Sequence, residues 1–211
     1  REFSTTKKDQ THSCQNRSSL TILRAMATFC FNNHFLIAMP TLEDPTFERS
    51  VALICQHDDK GAMGIVINRS IPLTLGEVLE QLDLSASTIN NPQRPIFSGG
   101  PVQPERGLVL HSRESEWDST IPIGDTLALT TSKDILEAMS ENRGPSKALF
   151  ALGYAGWTEG QLEREVGENS WLSAPADNDI IFNTPVEHRW FEAAESVGIN
   201  LATVSRETGH A

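Results

Sequence analysis

The chain is 211 residues long, 38% apolar and 21% charged, the make-up of one globular domain able to bury a core without disulfide or metal staples. Its net charge of −11 is unevenly spread: residues 1–30 hold five basic against two acidic groups, which leaves 12 basic against 26 acidic groups in the rest, or −14. A surface of that sign repels a phosphate backbone, and the longest apolar runs, FLIAM (35–39), VALIC (51–55) and ALFAL (148–152), fall far short of the roughly 20 residues of a membrane-spanning helix.

Residues 1–28 are polar, rich in Ser and Thr, and without a sustained apolar period, so they read as a disordered or extraneous tail with Met26 as the natural start. The stretch LTIL, broken by Arg24, is too short for the apolar core of a secretory signal, and Phe29 stands where a lipoprotein site at Cys30 needs a small residue. Cys14, Cys30 and Cys55 are odd in number, widely spaced and free of any C-x-x-C pair. That pattern argues against a disulfide framework and a structural zinc site, and for a reducing, cytoplasmic setting. No metal or cofactor is expected.

The domain is expected over 29–205, with 206–211 as a C-terminal tail. HFLIAMP (34–40) and SVALICQH (50–57) predict strands; the turn DDKGA (58–62) and the run MGIVINRS (63–70) then predict a hairpin. Thr74 with Glu77 forms a capping box for a helix whose face carries Leu75, Val78, Leu79 and Leu82. After a Ser/Asn/Pro-rich loop come PIFSGGPV (95–102), a strand at 106–112, another at 126–132, a helix at 133–142 and the strand KALFALGY (147–154). NSWLSAP follows at 169–175, and a last helix is signed by Thr184 as N-cap, Pro185, Glu187 and, past its end, Gly198. Its inward stripe is Val186, Trp190, Ala193, Ala194 and Val197. Hairpins mixed with single helices imply an α+β domain with a mixed sheet.

Four stretches carry side chains or backbone suited to chemistry. In GYAGWTEGQLEREV (153–166), Gly153 and Gly156 permit unusual backbone angles, and Thr158 with Gln161 marks a helix start near residue 159. Either this is a ligand loop using Gly153, Tyr154, Gly156, Trp157 and Gln161, or it is a strand-to-helix turn with the aromatics packed beside it. Glu159, Glu163 and Glu165 satisfy the helix dipole and disfavour phosphate there. On the turn reading Trp157 and Trp171 are buried, and Gly153 or Gly156 adopts a backbone closed to other residues.

Ser98, Gly99, Gly100 and Pro101 either present backbone amides to a ligand or bend a strand, and they lack the spaced glycines and Lys of a P-loop. Cys55 and His57, two apart on a strand, point to one side and are the raw material of a thiol nucleophile, although a cysteine inside VALIC more simply fills the core. Asp44, Glu48 and Arg49 in EDPTFERS form a turn with an internal ion pair or a carboxylate clamp. No G-x-S-x-G or H-E-x-x-H occurs.

Taken in order, HFLIAMPTLEDPTFERSVALICQHDDKGAMGIVINRS, FSGGPV, GYAGWTEGQLEREV and NSWL resemble the AlgH-like (YqgE) family of bacterial proteins over residues 31–204. The resemblance implies a single cytosolic α+β domain with a strongly coiled, mixed sheet flanked by helices. The family carries a transcriptional-regulator label without an established biochemical activity. Its motifs fall on Asp44, Pro45, Phe47, Arg49 and Ser50; on Gly61, Gly64 and Asn68; on Gly99, Gly100 and Pro101; and on Gly153, Tyr154, Gly156, Trp157, Gln161, Leu162, Asn169 and Trp171.

The charge argues that any regulation runs through a protein or small-molecule partner and not through direct nucleic-acid contact. The expectation is a monomeric, non-enzymatic binding module. The alternative is a small-molecule enzyme with its pocket between the SGGP and GYAGW loops.

Overall fold

A computed structural model of the chain describes residues 30–86, 89 and 91–201. The expected tails at 1–28 and 206–211, the start at Met26 and Cys14 lie outside the described residues. The chain divides between Cys30 and Phe31, and every described strand and helix belongs to the second unit.

Three strands open it, β1 (His34–Ala38), β2 (Val51–Asp58) and β3 (Gly61–Val66), paired antiparallel in succession. The expected β2–β3 hairpin is present, and the Asp58 carboxylate accepts from the Lys60 amide at its tip (2.8 Å). Then follow β4 (Ser70–Thr74), α1 (Leu75–Gln81), β5 (Pro95–Ser98), β6 (Val102–Ser112), β7 (Thr120–Ile123), β8 (Leu127–Thr130) and α2 (Asp134–Ser140). The chain closes with β9 (Ala148–Thr158), α3 (Gln161–Gly167), β10 (Trp171–Pro175), α4 (Asn178–Phe182) and α5 (Arg189–Glu195).

The strands run β10-β1-β2-β3-β9-β6-β8-β7, with β5 paired to both β4 and β9. Among the described residues only β5–β9 is parallel, so the sheet is mixed, and it curls into a half-barrel carrying the helices. The fold is α+β, as its sequence implies. Two strands without a clear sequence signal, β4 (SIPLT) and β7 (TIPI), each contain a proline. Proline lacks the N–H a central strand needs, and both strands sit at sheet edges with a single partner.

Residues alternate between two apolar layers along β1 and β2. Phe35, Ile37, Val51, Leu53 and Cys55 face Ile181 of α4 and Trp190, Ala193 and Ala194 of α5. Leu36, Ala38, Ala52 and Ile54 face Trp157, Leu162 and Trp171. Burial on both faces explains why these strands read as continuous apolar runs. A third layer packs Leu75 and Leu79 of α1 and Ile135 and Met139 of α2 on Ile96, Val109 and Phe150.

Helix α1 is capped as its sequence predicts: the Glu77 amide donates to the Thr74 hydroxyl and the Thr74 amide to the Glu77 carboxylate (2.8 Å). Leu82, expected inward, is its C-cap and is 37% exposed. The last helix differs more. Residues 185–188 form a turn, α5 begins at Arg189, and the Thr184 hydroxyl donates to Glu192 (2.6 Å) instead of capping. Val197 is exposed, while Trp190, Ala193 and Ala194 are buried as the stripe requires.

Candidate functional site

The two glycine stretches meet. Strand β9 pairs with β6 on one edge; on the other its first half pairs with β5 and its second half with β3. Gly153 stands at that change of partner with φ +69°, in the left-handed region. Across it runs Ser98–Pro101: the Gly99 amide donates to the Leu152 carbonyl (2.8 Å), and the Gly99 carbonyl accepts from the Val66 amide (2.9 Å).

No side chain fits at the crossing. A Cβ on Gly99 would lie 2.3 Å from the Gly153 oxygen, one on Gly100 would lie 2.2 Å from the Tyr154 carbonyl carbon, and one on Gly153 would lie 2.5 Å from the Gly100 oxygen. The glycines let two backbones touch, and the space between them is filled by carbonyls. Ser98 is half-buried and Pro101 exposed on either side of this contact.

GYAGW is strand, not a strand-to-helix turn, because β9 continues to Thr158 and Gly160 (φ +68°) makes the turn into α3. The expected capping box is half formed: the Thr158 amide and hydroxyl both reach the Gln161 side-chain oxygen (3.0 and 3.1 Å), but the N-cap is Gly160. Trp157 and Trp171 are buried, at 6% and 4% exposure, in an edge-to-face pair 6.0 Å apart with Phe47 against both.

Both indole N–H groups donate to one oxygen of Glu165 (2.9 Å each), and the Gln161 amide donates to the other (2.8 Å). Glu165 thus ties α3 to β9 and β10. It had no sequence assignment beyond charge on the first helical turns, although its spacing of four from Gln161 is a signal for contact on a helix face. Tyr154 is half-buried, and Gly156 is exposed.

Cys55 and His57 do not share a side. A β-bulge between Ile54 and Gln56 shifts the pairing of β2 with β3 and reverses the alternation. Cys55 enters the layer under α4 and α5, where burial pushes its thiol up to about 12. His57 lies against Phe31 in the opposite layer, accepts from the Phe31 amide at Nδ1 (3.2 Å) and donates from Nε2 to Glu163 (2.8 Å). Both ring nitrogens are thus taken up by structural partners.

His111 is buried too, donating to the Ser112 carbonyl and accepting from the Thr130 hydroxyl (2.9 Å each). Burial lowers its pKa, against the opposing pull of the Ser112 carbonyl and Glu114. Asp44 closes an exposed turn by accepting from the Thr46 amide (2.7 Å), and Arg49 adopts φ +54° there. The expected internal ion pair is a 4.0 Å contact of exposed Arg49 and Glu48; the turn is stitched instead by Arg69, which donates to the Pro45 and Glu48 carbonyls. Among the described residues no three His, Cys, Asp or Glu side chains gather as metal ligands.

A cleft of about 340 Å³ lies elsewhere, where α4 and the turn before α5 pass over the starts of β5 and β9. Arg94, Lys147 and Arg189 line it with Phe97, Phe182 and Val186. Arg189 is 6% exposed, donates to the Thr184 (3.1 Å) and Ile67 carbonyls, and lies 5.3 Å over the Phe97 ring. None of the three was singled out from sequence. The legible signal was Arg189 itself, a cation in register with the apolar stripe of the last helix.

The AlgH-like family profile matches residues 35–202. The chain belongs to the AlgH-like family. It is 54% identical over 179 residues to a UPF0301 protein of Xanthomonas campestris pv. campestris, covering 85% of this chain and 95% of the relative. It is 48% identical over 187 residues to a UPF0301 protein of Nitrosococcus oceani, covering 88% and 100%. The solution structure of the AlgH protein from Pseudomonas aeruginosa superposes with a TM-score of 0.71 at 44% identity, covering 93% of this chain and all of that one. A Corynebacterium diphtheriae protein, DIP2367, shares the fold at a TM-score of 0.67 and 21% identity, covering 82% and 91%. Family membership accounts for the four ordered motifs, which in this structure fall largely on the turn at 44–50, the glycine crossing and the tryptophan clamp.

Proposed function

We propose that this AlgH-like protein is a monomeric, cytosolic, non-enzymatic binding module that acts in transcriptional regulation indirectly, through a protein or small-molecule partner. The observation that carries the reading is the state of its reactive groups. The Cys55 thiol is buried with a pKa near 12, and His57 and His111 are spent on structural hydrogen bonds. A nucleophile works as a thiolate with a base beside it, and this arrangement supplies neither. The space between the SGGP and GYAGW stretches, where an enzyme pocket would sit, is closed by backbone contact. Cys55 carries a free thiol, which suits a reducing compartment.

Thiol kinetics test the reading. In a Cys14→Ser/Cys30→Ser background, Cys55 should react with an aromatic disulfide reagent only slowly at neutral pH and quickly once denaturant is added. Fast reaction in the native protein would identify an activated thiol and defeat the non-enzymatic reading.

A further inference from the structure

We infer that the cleft between the starts of β5 and β9 and the α4–α5 segment binds a small organic anion, a phosphate or carboxylate head on an apolar body. The inference rests on the binding-module reading and names the ligand class. The domain from residue 31 onward is −14, yet three of its 12 basic side chains converge on this one hollow.

Their existing contacts cancel that charge only in part. Arg189 is buried, but its bonds run to backbone carbonyls, and no carboxylate among the described residues forms a salt bridge with it. Burial lowers its pKa to about 10, with the nearby Glu187 carboxylate pulling the other way, so it stays charged at neutral pH with only that unbonded counter-charge. Arg94 is half-buried, and its guanidinium has no partner among the described residues. Lys147 lies 5.9 Å from the Phe182 ring centroid, and its ion pair among the described residues is with Asp179, 3.9 Å away and 78% exposed, a separation at which solvent screens the pair.

A cationic hollow in an acidic surface focuses the field and attracts anions. Arginine forks suit the oxygens of a phosphate or carboxylate. The walls add the half-buried Phe182 and Val186, apolar surface on which a ligand's apolar body can rest. A volume of about 340 Å³ suits a ligand of one ring and a head group.

Calorimetric titration of the full chain tests this with phenyl phosphate and benzoate, which separate the two head groups, and with benzyl alcohol as the neutral analogue. At least one anion should bind and the alcohol should not. Arg94→Gln should weaken binding about tenfold and Arg94→Gln/Lys147→Gln about a hundredfold, each with an unchanged melting temperature in the absence of ligand.

Binding by neither anion, equal binding of benzyl alcohol, or undiminished binding to the Arg94→Gln variant would overturn the site. Release of phenol from bound phenyl phosphate would uphold the site and defeat the non-enzymatic reading. Absence of binding would remove the site and leave that reading to the thiol measurement.

Discussion

Gly153 and Gly156 stand three residues apart on β9, yet an added methyl group meets opposite surroundings at the two positions. At Gly153 the backbone is left-handed and the methyl group would meet the Gly100 oxygen at 2.5 Å. At Gly156 its nearest neighbours are side-chain carbons of Val102 and Tyr154 at 3.7 and 3.8 Å, ordinary contacts, and φ is not positive. The sequence expectation of strain at Gly153 or Gly156 therefore resolves to Gly153. Gly153→Ala should destabilise by about 1–3 kcal/mol or more, and Gly156→Ala should be neutral or stabilising by about 0.4–1 kcal/mol through the unfolded chain. Urea denaturation midpoints of both variants decide it; a Gly156→Ala loss equal to that of Gly153→Ala would contradict the structure.

At the scale of elements, the tryptophan clamp joins one helix to two strands. Trp157 on β9 and Trp171 on β10 bury their rings in the same layer and present both N–H groups to Glu165 on α3. Trp157→Ala should cost about 3–5 kcal/mol, as a large-to-small core change does, and strand one of the bonds to Glu165. Thermal or urea unfolding measures it; a variant with unchanged stability would show that the ring is not part of the core. Burial of these rings was legible from their size. The shared carboxylate was not, because three side chains on separate elements converge only after the sheet has curled. The Cys55–His57 pairing failed for a related reason: a bulge is one extra residue relative to a partner strand, and its partner lies on β3.

For the whole molecule, the sign of the surface governs encounter with polyanions. The −14 spread over the domain outweighs one cationic cleft, so long duplex DNA should be repelled while a small anion enters. An electrophoretic shift assay with nonspecific duplex at low salt should show no complex at micromolar protein. Tight binding that weakens steeply with salt would overturn the charge argument. Among the described residues no helix is long and apolar enough to cross a membrane.

Apolar periodicity and capping residues by themselves determined the hairpin of β2 and β3, the start of α1 and the α+β class, because each depends on neighbours close in sequence. Ordered motifs determined the family. Tertiary structure alone decided that Gly99, Gly100 and Gly153 form one backbone crossing, that Cys55 and His57 part company, and that Arg94, Lys147 and Arg189 meet. Each of those joins residues from distant segments, and their distance is set by sheet pairing and curvature, which no local pattern encodes.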